Sequence, residues 1–275
     1  MDILKLSDIA IKAALSAGKI IQRHMNDDVK VGKKHTGTSR FSEVVTAVDK
    51  ACETEILSHL LPSCEEYDLA LLSEETEDDA SRFEKDFFWC IDPMDGTLSF
   101  INKQPGFSVS IALVEKDGTP CIGVVFDPSS QTLYHAVKGH GAYKNNKPWE
   151  IQHTNNHLTY VTDRKLSETP RKAEIKQLLN GFAKELNLDG FKEMSGAGAV
   201  LNAIRVLEHG PACMLKFPKK EKGGGSIWDF AATACIYQEL RLPATNFEGG
   251  KLDLNRKDGT FMNHEGVFYS NLRID

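Results

Sequence analysis

Phe87-Phe88-Trp89-Cys90-Ile91-Asp92-Pro93-Met94-Asp95-Gly96-Thr97 decides the reading of this chain. A run of large apolar residues with strand preference ends in two acids three positions apart, with Pro93 fixing a turn between them and Gly96 permitting close backbone approach. A strand that ends this way presents both carboxylates to one point. Hard divalent cations want oxygen ligands, and Mg²⁺ characteristically takes one or two carboxylates plus water and phosphate oxygens. The backbone N–H groups of Gly96 and Thr97, at a helix start, would cradle a phosphate as well. A surface turn that uses Asp and Gly for turn geometry alone is the plain alternative, but turn acids seldom follow a run as apolar as Phe87 to Ile91.

Outward from this stretch the pattern is one of short strands: Phe107–Glu115, Cys121–Phe126 and Leu133–Val137, with Lys116-Asp117-Gly118 as a hairpin turn that implies antiparallel pairing. Before it, Leu6, Ile9, Ala10, Ala13, Ala14, Ala17, Ile20 and Ile21 share one face of a helix from about Leu4 to His24. Asn26 to Ser42 has no periodicity and reads as a mobile loop. A second helix is expected from about Thr46 to Leu61, stopped by Pro62. In the second half, strands near Leu158–Thr162 and Ala212–Phe217 alternate with helices near Lys172–Leu186, Ala199–His209 and Trp228–Leu240. This order predicts an α+β part over 1–150 and an α/β part over 151–275 that closes a cleft against it.

The chain has 275 residues, 41% of them hydrophobic, and a formal net charge of −6. That balance argues against a nucleic-acid polymer or a membrane surface as partner and favours small-molecule chemistry. The six cysteines are dispersed in apolar segments and read as reduced core residues, and there is neither a basic leader pattern nor a long apolar span, so a cytoplasmic monomer or homodimer is the expectation.

Further acids follow apolar runs or open helices. Leu71-Leu72-Ser73-Glu74-Glu75 ends in adjacent carboxylates, and Ser226-Ile227-Trp228-Asp229 starts a helix. Ser226-x-x-Asp229 and Thr46-x-x-Asp49 both satisfy a capping box, so helix capping competes with ligand roles for Asp229 and Asp49.

Together, Val45-Thr46-Ala47-Val48-Asp49, Glu74-Glu75, Asp92-Pro-Met-Asp95-Gly-Thr97 and Trp228-Asp229-x-Ala-Ala resemble the inositol monophosphatase superfamily of magnesium-dependent, lithium-sensitive phosphatases. The resemblance implies a layered αβαβα sandwich, with an antiparallel sheet in the N-terminal half and a mixed sheet in the C-terminal half. It implies two or three Mg²⁺ ions held by Glu74, Asp92, the Met94 carbonyl, Asp95 and Asp229, inhibition by Li⁺, and catalytic roles for Glu74, Asp49 and Thr97. Thr97, hydrogen-bonded to Asp49, would orient the attacking water. Asp95, Gly96, Thr97, Gly196, Ala197, Lys216 and Asp229 would meet the substrate. Like charges at about 4 Å repel by roughly 4 kcal/mol per pair at an effective dielectric near 20, so such a cluster requires cations. A haloacid-dehalogenase phosphatase, with its D-x-D-G-T signature, is the enzymatic rival; Pro93 standing where its nucleophile would be argues against it, and trapping a covalent aspartyl-phosphate would reverse that ranking.

For the substrate, Phe100-Ile101 after Asp95-Gly-Thr97 looks like the 3'(2'),5'-bisphosphate nucleotidase branch, whereas Ser99 replaces the Asn common in inositol phosphatases. Lys216, Lys219, Lys220 and Lys222 occupy the stretch before Trp228, where inositol phosphatases tend to carry a Glu for substrate hydroxyls. These lysines suit a second phosphate. The expected reaction is hydrolysis of adenosine 3',5'-bisphosphate, with inositol monophosphate as the alternative and a non-catalytic phosphate- or metal-binding relative as the remote one.

Overall fold

The structure is a computed structural model that describes residues 1–25, 40–153 and 155–272, with side chains in the second stretch from residue 47 onward. The loop expected over Asn26–Ser42 lies mostly outside the described residues; its last three positions belong to a helix.

Two helices open the chain, α1 (Ile3–His24) and α2 (Arg40–Tyr67). The first sheet takes β1 (Ala70–Ser73), β2 (Phe87–Asp95), β3 (Ser108–Glu115), β4 (Pro120–Asp127), β5 (Thr132–Val137), β6 (Gly141–Lys144) and β7 (Lys147–Pro148), in sequence order across the sheet, with the one-turn helix α3 (Thr97–Ile101) after β2. It is antiparallel except that β1 runs parallel to β2. The second part contains β8 (Leu158–Thr162), α4 (Lys172–Glu185), β9 (Phe191–Ser195), α5 (Ala199–Glu208), β10 (Ala212–Lys216), α6 (Ile227–Leu240), β11 (Ala244–Thr245) and β12 (Val267–Ser270). Its mixed sheet has the order β11-β12-β10-β8-β9. Helices α1 and α2 cover one face of the first sheet, α6 covers the other, α5 packs on α6 and on the second sheet, and α4 packs on β8 and β9. The expected αβαβα sandwich is the observed fold.

Small side chains set the spacing of the first layer. Ala10, Ala13, Ala14 and Ala17 of α1 are fully buried, and a methyl group at Gly18 would come within 2.2 Å of the Phe126 ring, so the helix rests directly on β4. The hairpin at Lys116–Gly118 forms as expected, with Gly118 in the left-handed region at φ +81°.

Helix α2 departs from its expected limits. It begins at Arg40 and runs past Pro62 to Tyr67. Pro62 and Ser58, four residues before it, both lie on the exposed side of the helix, while Leu60 and Ser63 stay buried on the other. Ser63 then accepts a hydrogen bond at 3.0 Å from the buried Trp89 indole, which fastens β2 to the helix just beyond the proline. Tertiary packing thereby outweighs the local cost of about 3 kcal/mol. Because α2 starts at Arg40, Asp49 sits within the helix and the capping explanation for it fails.

A buried arginine joins distant segments. Arg82 pairs with Asp78 at 2.8 Å, donates to Asn255 Oδ1 and to the Arg256 carbonyl, and stacks on Phe83. No helix among the described residues is long and apolar enough to cross a membrane.

Candidate active site

Acids three apart on a regular strand point to opposite faces, because side chains alternate with period two. Strand β2 avoids this with an irregularity: Asp92 pairs with Ser110 and Asp95 with Ser108, so three steps on β2 match two on β3. Pro93, which has no N–H to give a ladder, falls inside this bulge. The extra residue returns Asp95 to the side of Asp92. The Asp92 carboxylate also accepts the Met94 N–H at 3.0 Å, which holds the bulge closed.

Asp229 completes the group from α6. Carboxylate oxygens of Asp92, Asp95 and Asp229 lie within 4.8 Å of one another. Ser226 N–H donates to Asp229 Oδ2, so this acid caps its helix while its carboxylate lies within the cluster. Asp95 is likewise doubly used: its two oxygens accept the backbone amides of Ala199 at 3.2 Å and Val200 at 2.8 Å, at the start of α5.

Glu74 joins from the edge. Its backbone N–H donates to the Ile91 carbonyl at 3.2 Å, continuing the β1–β2 pairing and bringing its side chain beside Asp92. It keeps a solvent-exposed surface, yet the protein packed around it still raises its carboxyl to about 7, helped by Asp229. Burial also lifts Asp49 to about 7, with Glu75 and Glu74 adding to it. Burial is the largest cause that raises Asp92, Asp95 and Asp229; the charges of Glu74, Asp95 and Asp229 add to it at Asp92, those of Asp229 and Asp163 at Asp95, and that of Asp163 at Asp229, where the Ser226 amide and Lys216 oppose it. The donor set is entirely oxygen and the charges repel, which fits a hard cation.

The Thr97–Asp49 hydrogen bond expected from the sequence is not formed. Thr97 Oγ1 donates to the Met94 carbonyl at 3.3 Å, because α3 turns away at Gly96 and leaves the hydroxyl above the bulge. The Met94 carbonyl, expected as a ligand, therefore carries one hydroxyl already.

Close backbone crossings frame the cleft. Gly96 has φ +86°, and a Cβ on it would meet the Gly106 carbonyl at 2.3 Å. The same Gly106 carbonyl accepts Gly198 N–H at 2.8 Å, and the Gly196 carbonyl accepts Ser99 Oγ at 3.3 Å. Gly196, at φ +98°, has open space around it, whereas Ala197 is buried and its carbonyl accepts Asn202 Nδ2.

Lys216 ends β10 at the rim of the acids and is not part of a free loop. Its ammonium pairs with Asp163 Oδ2 at 2.5 Å; burial opposes its charge, but Asp163, Asp229 and Asp95 more than compensate and raise its pKa. Asp163 is held in turn by Asn202 Nδ2 at 2.9 Å. Sequence reading missed Asp163, and it also missed Glu53, a buried acid of α2 that accepts the hydroxyls of Ser73 and Thr76 and so fixes the turn carrying Glu74 and Glu75. No local motif marks either residue.

Comparison with known proteins agrees with this geometry. The model of the inositol monophosphatase family matches residues 2–272. Inositol monophosphatase 2 of Solanum lycopersicum is 32% identical over 260 residues, covering 91% of this chain and 90% of its own. Nus factor SuhB of Haemophilus influenzae is 38% identical over 138 residues, so the match spans 50% of this chain and about half of that protein, 49%. Among solved structures, CysQ from Bacteroides thetaiotaomicron, a bacterial member of the inositol monophosphatase family, has a TM-score of 0.76 at 25% identity, with 98% of each chain covered. By sequence along nearly its whole length and by fold, the chain belongs to the inositol monophosphatase family.

Proposed function

We propose that this chain is a Mg²⁺-dependent phosphomonoesterase acting on a small phosphorylated metabolite. The observation that carries the reading is the convergence of Asp92, Asp95 and Asp229, from two elements remote in sequence, within 4.8 Å. Asp92, Asp95, Asp229, Glu74 and the Met94 carbonyl would hold the metal. Bound Mg²⁺ supplies neutralisation of phosphate charge, a lowered pKa for water and stabilisation of the leaving oxygen.

The chain's own groups do the rest. Glu74, near neutrality at about 7, is suited to accept a proton from the attacking water. Thr97 and the turn at Gly96 border the same point and would orient that water and the phosphate. In an in-line displacement the water oxygen bonds to phosphorus, the ester P–O bond breaks, and the departing alkoxide takes up a proton.

For the substrate, the reading is a 3'(2'),5'-bisphosphate nucleotide, supported by Phe100-Ile101 and by a cationic Lys216 at the rim of the cluster. Inositol monophosphate is the second reading, favoured by the relation to the tomato inositol monophosphatase. Phosphate release from adenosine 3',5'-bisphosphate and from inositol 1-phosphate, each with Mg²⁺ and with chelator, tests both levels. No Mg²⁺-dependent release from any phosphomonoester would end the phosphatase reading. A higher kcat/KM for inositol 1-phosphate would replace the nucleotidase reading with the second.

A further inference from the structure

Hydrolysis of an ester needs a proton for the departing oxygen as well as an acceptor for the proton of the attacking water, and Asp92, Asp95 and Asp229 offer carboxylates alone. Lys216 is an N–H donor built into the wall of the same cleft. Side chains alternate along β10: Ala212 and Met214 enter the core shared with α5 and α6, whereas Cys213 and Leu215 enter the core under α4. Lys216 continues the first row, so its side chain runs toward the starts of α5 and α6, the helix ends that hold Asp95 and carry Asp229. Its ammonium lies 5.6 Å from the centre of the Phe230 ring, next in sequence to Asp229. The side chain is only 15% exposed and is tied to Asp163. Asn202, fully buried on α5, holds the other Asp163 oxygen at 2.9 Å and the Ala197 carbonyl at 3.0 Å. A long, flexible side chain is thereby fixed at one place.

Glu74 and Lys216 stand on opposite sides of the aspartates. Glu74 arrives with β1, at the edge of the first sheet, and has Asp92 and Asp229 as its neighbours in the cluster. Lys216 arrives with β10 of the second sheet, where Asp229 and Asp95 are the cluster charges that act on it. A phosphate held at the three aspartates has a proton acceptor on one side and a proton donor on the other, which is what an in-line displacement asks of its attacking and departing oxygens.

We infer that Lys216 is the general acid of the reaction, giving a proton from Nζ to the departing alkoxide, with Asp163 and Asn202 as positioning residues. The inference deepens the phosphatase reading and rests on it. As the water oxygen bonds to phosphorus, Glu74 takes its proton. The ester P–O bond breaks, its electron pair stays on the departing oxygen, and a Lys216 N–H proton joins that oxygen, so a neutral alcohol leaves. The amine recovers a proton from solvent, which reaches the pair at the 44% exposed Asp163, and Glu74 returns its own proton to solvent. An ammonium, at about 10.4, is a far stronger acid than an aliphatic alcohol, which resembles water at about 15.7, so the transfer runs downhill.

The test uses three esters with increasingly basic departing oxygens: 4-nitrophenyl phosphate, phenyl phosphate and glycerol 2-phosphate. Wild type is compared with Lys216→Met, which removes the ammonium, and Lys216→Arg, which keeps the charge on a group that does not give up its proton at working pH. Steady-state kinetics in Mg²⁺ are run beside calorimetric titration of each protein with Mg²⁺. Both variants are expected to lose about a hundredfold in kcat on glycerol 2-phosphate, at least roughly tenfold more than on 4-nitrophenyl phosphate, with phenyl phosphate between. Mg²⁺ affinity of Lys216→Arg should stay within about twofold of wild type. Equal losses on all three esters overturn the inference, since they mark a structural or binding role. Wild-type turnover of glycerol 2-phosphate by Lys216→Arg overturns it too, because charge alone then suffices. Mg²⁺ affinity of Lys216→Arg that weakens in step with activity assigns the lysine to the metal site instead. These results leave the phosphatase reading standing, which falls only if the wild type releases no phosphate from any ester in Mg²⁺.

Discussion

Gly198 lies against Asp95 so closely that a methyl group at residue 198 would sit 2.2 Å from the Asp95 Oδ2. The absence of a side chain at the start of α5 is what lets the carboxylate reach the amides of Ala199 and Val200. Gly198→Ala is therefore expected to push Asp95 out of the cluster and lower kcat roughly a hundredfold, since misplacement of about 1 Å has that effect. Mg²⁺-dependent phosphate release measures it; a variant within twofold of wild type would refute the link.

Asp229 both caps α6 and faces the other acids. In Asp229→Asn the amide oxygen still accepts the Ser226 N–H while the charge is gone. Activity should fall by about two orders of magnitude or more, and the melting temperature should move by less than about 4 °C. A large melting shift with activity retained would leave capping as the residue's sole role.

Glu74 stands at about 7 against an ordinary 4.5, and Asp49 at about 7 against 3.8, both chiefly through burial. Folded protein then holds these protons where the unfolded chain has lost them, so the metal-free stability is greatest below about pH 4 as far as these groups are concerned. It declines as pH rises to about 7. Melting curves in chelator should show this decline, and saturating Mg²⁺ should flatten it by binding the ionised acids. Equal slopes with and without Mg²⁺ would contradict the metal assignment.

Arg82 is buried, with Asp78, Asn255 and the Arg256 carbonyl as partners. Lysine cannot supply three donors in one plane, so Arg82→Lys should cost about 2–4 kcal/mol in urea unfolding. A change under about 0.5 kcal/mol would show that the junction contributes little.

Much of the fold was legible because burial writes itself into composition. Phe87–Ile91 announced β2, and the apolar face from Leu6 to Ile21 announced α1. Pro62 misled because local propensity says nothing of Trp89 waiting to bond Ser63 on the far side of the helix. Asp92 and Asp95 were visible as a pair, but the bulge that aligns them is set by pairing with Ser108 and Ser110. Glu53 and Asp163 each act through two contacts with residues distant in sequence, which leave no periodic trace.

The position of α6 has a consequence for how the protein comes into being. As the chain leaves the ribosome, β2 emerges long before the helix that must roof it, so the first sheet waits with one face uncovered and its paired aspartates lacking their third companion. Chelating ability should consequently appear late and all at once, making cation capture a report that α6 has docked on the sheet.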